Sequence, residues 1–378
     1  MKRFLALLGT VSSLLMVSLS ADARDPAAKD LTQKQIDKLQ STVMNMNLPL
    51  QKRIRALKKL HWDQLNGGKI NRSFCVWDPL GRNGPIYATV DDQKLRSLHY
   101  GLALDIRAYQ DEDKLVADLK SGACDAALIR GNRAYQFNRF VATLDAPGAL
   151  PTVEHFRIVS QVIASPKSAT RMEQGDYVVA GVAYLGDSYF IRHSRASSGF
   201  AELAKQKLGV IADEPSLVEM ANQLTSSAQA LSATASAEKF VNNELDALLA
   251  PAVIYHALIS GQLNGPVRIM NMPQSLSTMQ LIGRRDKFPT GLAQMLREDF
   301  LFKFDNYVKR VEAEVRNVPS EYWQAIPESE QKRRAKQLQA LRLKLRDKGM
   351  YDAGMLRMMR KIRCKLDPQG SECLNPVE

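Results

Sequence analysis

Leu115-Val116-Ala117-Asp118-Leu119-Lys120-Ser121-Gly122-Ala123-Cys124-Asp125-Ala126-Ala127-Leu128-Ile129 and, later, Phe240-Val241-Asn242-Asn243-Glu244-Leu245-Asp246-Ala247-Leu248-Leu249-Ala250 follow one plan. Each is a short amphipathic helix, a polar turn, and Asp-Ala opening an apolar run of strand length. Working outward from the first copy, Phe74-Cys75-Val76-Trp77 is an unbroken apolar run suited to a strand buried on both faces. A turn over Asp78–Pro85 leads to a helix from Ile86 to His99, a strand over Leu104–Tyr109 and a helix over Glu112–Lys120 capped by Asp111. The third strand covers Asp125–Ile129. Around the second copy the reading is strand Lys207–Ile211, helix Leu217–Leu224, strand Ala228–Ser232, helix Ala237–Asn243 and strand Asp246–Ala250. Two α/β lobes imply a cleft at their strand carboxyl ends, where open parallel sheets hold ligands.

Between the copies, Pro147, Pro151 and Pro166 interrupt residues 131–175. Tyr177–Tyr184 and Tyr189–Arg192 read as two strands around a Leu185-Gly186-Asp187-Ser188 turn, carrying the chain to the second lobe. Val267–Met270 and Met279–Ile282 are further strands, the latter returning to the first lobe, so at least two strands cross between the lobes. Residues 24–71 read as a polar leader with one or two helices broken at Pro49. From Thr290 onward the chain is mostly helical, with Leu338, Leu341 and Leu345, then Met355, Met359 and Ile362, at the spacing of docking faces.

Lys2 and Arg3 precede an apolar stretch from Phe4 to about Leu19, and Ala21-Asp22-Ala23 supplies the small residues of a cleavage site. The stretch is too short and too polar for a good membrane span. Export with removal of residues 1–23 is therefore expected. The formal charge of +12 favours attraction to anionic partners. Much of the excess lies in Gln51–Lys59 and Gln331–Lys348, read as solvated helix faces. No nucleic-acid motif accompanies it.

An even count of cysteines suits disulfides in an oxidising compartment. Of the three pairings possible, Cys75–Cys124 joins strands that neighbour each other in a flavodoxin-like order, and Cys364–Cys373 closes a small loop. Cysteine spacing and the scattered His61, His99, His155, His193 and His256 do not suggest a metal site.

No nucleophile-elbow, phosphate-loop, dinucleotide or zinc-protease signature is present, so neither an enzyme nor a cofactor is expected. The candidate ligand residues sit at strand ends. Gly81-Arg82-Asn83-Gly84 precedes a helix whose free N–H groups could hold an anion. Arg130 and Arg133 could offer fixed donors to a carboxylate or phosphate. Trp77, Tyr184, Tyr189 and Tyr255 could wall the cleft, with Asp78 beside them. Asp125 and Asp246 are expected to satisfy turn backbone.

Cys75-Val76-Trp77-Asp78-Pro79-Leu80-Gly81, Tyr109-Gln110-Asp111-Glu112, Gly122-Ala123-Cys124-Asp125-Ala126 and Arg133 carry a family likeness. It continues in Ala180–Tyr189, Lys287-Phe288-Pro289, Val318–Trp323 and the segment from Arg363 to Cys373. Over roughly residues 73–373 the chain resembles the AdeT-type periplasmic solute-binding proteins, often labelled components of RND-type efflux and linked with aminoglycoside resistance. That family is similar in turn to the solute receptors of tripartite ATP-independent (TRAP) transporters, whose lobes close over an organic acid. Those receptors carry an arginine on the strand opening the second lobe. Gly209 stands at that place here, so the carboxylate anchor does not carry over. Nor does the chain show the many spans of a pump component or the coiled-coil hairpins of an adaptor.

The fold expected is therefore a type 2 periplasmic-binding-protein-like pair of α/β lobes with a hinge. Its divisions are a signal peptide (1–23), an N-terminal helical extension (24–72), lobe 1 (73–175, with 279–320 returning), lobe 2 (176–278) and a C-terminal helical extension (321–378). The function expected is capture of a small solute in the periplasm for a membrane transporter component. The alternative is an envelope accessory protein of RND-type efflux that binds a protein partner.

Overall fold

The computed structural model describes residues 31–193, 199–211, 215–263 and 265–378, so the expected export segment 1–23 lies outside the described residues. Helices α1 (Gln33–Met44) and α2 (Leu50–Leu60) open the chain, parted at Pro49. A short β1 (Leu65–Asn66) turns back on β2 (Lys69–Trp77). Where one helix was expected over Ile86–His99, α3 (Pro85–Asp91) and α4 (Lys94–Ser97) are separate. Asp91 and Asp92 put two negative charges at the negative end of α3, which disfavours continuing it. Strand β3 (Leu102–Tyr109), helix α5 (Glu112–Ser121) and strand β4 (Ala126–Arg130) complete the first unit. The Asp111 carboxylate accepts from the N–H groups of Asp113 and Lys114, as expected of a cap.

After α6 (Arg139–Ala142), α7 (Val153–Ala164) and β5 (Glu173–Gln174) comes β6 (Tyr177–His193), an uninterrupted strand of 17 residues. The second unit is β7 (Leu208–Ile211), α8 (Pro215–Leu224), β8 (Ala228–Leu231), α9 (Ala233–Val241) and β9 (Ala247–Pro251). In both units the first strand pairs in parallel with the second and the third: β2 with β3 and β4, β7 with β8 and β9.

The repeat reaches down to single atoms. Gly122 and Asn243, each three residues before the shared aspartate, end their helices at φ 86° and 59°. The next buried side chains, Cys124 and Leu245, donate their N–H groups back to Asp118 and Lys239. Asp125 then accepts from the Ser73 N–H, and Asp246 from the Lys207 N–H, both at 2.8 Å. Each aspartate thus ties the start of its third strand to its first, at mid-strand in the first unit and at the strand's start in the second. They bond a neighbouring strand rather than their own turns.

Helix α10 (Ala252–Leu258), strand β10 (Val267–Met270) and strand β11 (Ser275–Arg284) follow. Strand β11 lies antiparallel between β4 and β6, while β9 lies against the later half of β6. The expected turn at Leu185–Ser188 is instead a bulge within β6. Pairing steps from Ser277↔Gly186 to Thr278↔Tyr184, leaving Leu185 over, and Gly186 takes φ 121°. A bulge admits one extra residue and bends the strand without ending it. Among the described residues one sheet of 12 strands therefore runs through both α/β halves, and β6 is its common member.

Helices α11 (Thr290–Phe302) and α12 (Phe304–Arg316), strand β12 (Trp323–Gln324), and helices α13 (Glu328–Asp347), α14 (Ala353–Leu366) and α15 (Ser371–Leu374) complete the chain. The basic segments are not wholly solvated. Arg53 of α2 bonds Glu298 at 2.5 and 2.9 Å, and Arg334 and Arg342 of α13 are buried. Arg342 and Arg363 donate to the Pro147 and Ala149 carbonyls, docking the C-terminal helices on the proline-rich segment. Both expected disulfides are present, Cys75–Cys124 and Cys364–Cys373, with Cα atoms 6.0 and 5.5 Å apart.

Candidate functional site

A cavity of about 450 Å³ lies against the inner side of the first half and reaches the second. Phe74, Leu102, Leu104 and Leu128 come from β2, β3 and β4, and Met279 and Leu281 from β11. Asp78, Pro79 and Ile86, beyond the carboxyl end of β2, face it from one side; Val253, Ile254 and Ala257 of α10 contribute from the second half. Tyr184 and Leu185, at the bulge of β6, line it too. Helices α11 and α12 supply Leu296, Phe300 and Val311. Most of this wall is aliphatic or aromatic, as small-molecule sites usually are.

Polar groups gather at the junction of α11 and α12. Asp299 accepts from Arg96 Nε and Nη2 at 2.9 and 2.7 Å and from the Tyr100 hydroxyl at 2.9 Å, while Lys303 Nζ lies 2.5 Å from its other oxygen. Burial alone would push the Asp299 carboxyl up, but the Lys303, Arg96 and Tyr100 donors outweigh it and hold its pKa below the ordinary value. Burial lowers the Lys303 pKa, with Asp299 opposing. Burial also raises that of the Tyr100 hydroxyl, as does Asp299.

Of the eight ligand residues expected from sequence, Asp78 and Tyr184 line this cavity. Asp78 is already engaged: its carboxylate accepts from the N–H groups of Leu80, Ile86 and Tyr87. A Cβ on Gly84 would fall 1.8 Å from Asp78 Oδ1, so glycine there makes room for the carboxylate. The helix end proposed for an external anion thus receives the chain's own. Burial raises the Asp78 pKa, with those three N–H donors opposing. Arg82 is exposed on the neighbouring turn.

Arg130 is buried and pairs with buried Glu112, Nε and Nη2 reaching Oε2 at 2.8 and 2.5 Å while its N–H reaches Oε1 at 2.8 Å. Its guanidinium carbon is 4.8 Å from the centre of the buried Trp77 ring. Arg133 pairs with Asp113. Across this strand-end seam, Ser216 at the start of α8 approaches Asn132 at 3.4 Å. Tyr255 is buried, its hydroxyl pushed up to about 12 by burial and by Tyr322. Tyr189 packs edge-on to Trp323. Gly209 cannot take the arginine of TRAP receptors without rearrangement, because a Cβ there would sit 2.6 Å from Leu245 and 2.7 Å from Leu248.

The sequence reading did not single out Arg96, Tyr100, Asp299 or Lys303. Arg96 and Tyr100, like Asp299 and Lys303, are four apart on helix-like segments, a spacing that equally describes a solvated surface pair. It also passed over Asp187, which sits next to the bulge. Burial pushes its carboxyl up to about 6, while bonds from the Tyr184 and Tyr189 hydroxyls pull the other way.

Among the described residues, no helix is long and apolar enough to cross a membrane, and no group of three or more His, Cys, Asp or Glu is placed to hold a metal.

The family model for solute-binding protein AdeT 1/2 matches residues 99–376, and the chain belongs to that family. "Probable solute-binding protein AdeT1" of Acinetobacter baumannii is 31% identical over 300 residues, 79% of this chain and 98% of that protein. "Probable solute-binding protein AdeT2" of the same organism is 21% identical over 229 residues, 60% of this chain and 95% of that one. Among solved structures, a TRAP periplasmic solute-binding protein from Desulfovibrio salexigens with bound orotic acid superposes with TM-score 0.63 at 9% identity, covering 79% of this chain and 100% of that one. Another from a Bradyrhizobium species, in complex with D-galacturonate, gives 0.62 at 14% identity, covering 77% and 99%. At such identities the likeness is one of fold: a type 2 arrangement of two α/β lobes.

Proposed function

We propose that this member of the AdeT solute-binding family is a periplasmic receptor that traps a small solute in the cavity between its halves and presents it to a membrane transport component. Capture, not turnover, is its task. The observation that carries this reading is that one cavity takes walls from the first half, from α10 of the second and from the shared strand β6. A guest touching both halves stabilises their closed arrangement, because those contacts are lost together on opening. The bulge at Leu185–Gly186 lies where β6 passes between them and is the natural place to bend. The halves are then residues 73–175 with 279–320, and 176–278.

The binding of sugar acids and orotate by the structural neighbours supports the class of activity, not the identity of the guest. A mass spectrum of small molecules released when gently purified protein is denatured tests the proposal directly. A stoichiometric solute, with compaction by X-ray scattering when it is added back, is the expected result. Protein that releases nothing and scatters identically across a broad metabolite panel would overturn it.

A further inference from the structure

The cavity's chemistry narrows the guest, and this step rests on the cavity being the solute site. Its lining sets Arg96, Lys303 and Arg310 against Asp78, Asp299 and Glu314, and most of these charges are already paired within the protein. Both Asp299 oxygens are taken, Oδ1 by Arg96 and Tyr100 and Oδ2 by Lys303. The Asp78 carboxylate, which also lines the cavity, is covered by three backbone N–H groups. Farther along, Arg310 is engaged by Asp92 at 2.9 Å, while Glu314 lies 3.6 Å from the His256 ring. Lys303 has three N–H groups, and among the described residues its side chain meets Asp299. Lys303 is buried, and a guest bearing an acceptor can take the N–H groups that Asp299 does not. Away from this end, Leu104, Leu128, Leu281, Phe288 and Val253 offer no hydrogen bonds to a sugar's hydroxyls.

We propose that the cavity takes an amphipathic monoanion, its aliphatic or aromatic body along the walls of β3, β4, β11 and α10 and its acidic head on Lys303 and Arg96. A polyhydroxylated acid would strip its hydroxyls of water for nothing in return. A polycationic aminosugar would meet an apolar surface that offers its hydroxyl and ammonium groups nothing in return.

The test uses the full chain and a polyene fatty acid whose fluorescence rises in apolar surroundings, displaced in turn by decanoate, decylamine and glucuronate. Decanoate is expected to displace it at concentrations at least ~10-fold below those needed for decylamine or glucuronate, a tenfold ratio being one decade of affinity. Lys303→Met should weaken decanoate by a similar factor while Lys303→Arg keeps it. Should Lys303→Met fail to fold because Asp299 is left short of a partner, the double variant Asp299→Asn/Lys303→Met removes the pair together and should lose the preference for the acid. Displacement by glucuronate or decylamine as readily as by decanoate would overturn the amphipathic acid while leaving the cavity a solute site. No binding of any probe, with no solute released on denaturation, would overturn the cavity reading itself.

Discussion

Two charged clusters in the first half use the same residue types to different ends. At the strand ends, Arg130 spends its guanidinium on Glu112 and on the face of Trp77, and Arg133 turns to Asp113. Beneath the sheet, Asp299 draws in Arg96, Tyr100 and Lys303 on the wall of an apolar cavity. The first cluster is paired within the protein, and the second borders the proposed solute site. A strand-end arginine serves a ligand only if no carboxylate of its own chain reaches it first. At β4 the N-terminal glutamate of α5 does.

The sharpest way to break that contrast is to remove Glu112. Glu112→Ala leaves Arg130 buried without its carboxylate, and a loss of about 3–5 kcal/mol in urea unfolding is expected. A loss under ~1 kcal/mol would mean that Glu112 is not what holds Arg130 at the strand end. Filling the other region should act on binding instead. Ala257→Trp, entering from α10, is expected to weaken the released solute by about 100-fold, or about 2.7 kcal/mol, in titration calorimetry, with the fold intact by circular dichroism.

Asp187, beside the bulge of β6 and bonded by the Tyr184 and Tyr189 hydroxyls, has a pH signature. Its carboxyl is raised to about 6 in the folded protein, so the folded state holds the proton more tightly than the unfolded chain. Stability is then greatest below the ordinary carboxylate pKa and is lost as pH rises through about 6. Relative to Asp187→Asn, the native chain should lose about 1 kcal/mol between roughly pH 5 and pH 7, read from unfolding midpoints. Equal slopes in the two proteins would remove Asp187 from the account. The smallest effect belongs to a pair outside both regions. Glu219 of α8 meets Lys344 of α13 and Lys348 just after it at 2.6 and 3.2 Å on the surface, and Glu219→Ala should cost less than about 1 kcal/mol, shrinking further at high salt.

The repeated helix, turn and Asp-Ala words were legible because they are local. Gly122 and Asn243 at the left-handed helix ends, and the aspartates that follow them, perform one backbone task twice. The crossing at β6 was half legible. Leu185-Gly186-Asp187-Ser188 has a turn's composition, but pairing with β11 on one edge and β9 on the other keeps the strand extended through it. The site was the least legible part. Arginines near strand ends drew attention by position, whereas Lys303, in a helical stretch, shows its role only once Arg96 and Tyr100 arrive from some 200 residues away.

By itself the sequence determined what depends on neighbours along the chain: the two α/β units, their caps, the disulfide partners brought close by that topology, and the missing arginine at Gly209. Only the tertiary structure decided which charges cancel and which remain. Glu112 closes on Arg130 because α5 packs beside β4, and Asp299 gathers donors because the fold brings Arg96 and Tyr100 within reach of α11. Pairing energy between charges depends on separation and burial, and neither quantity is written in spacing along a chain.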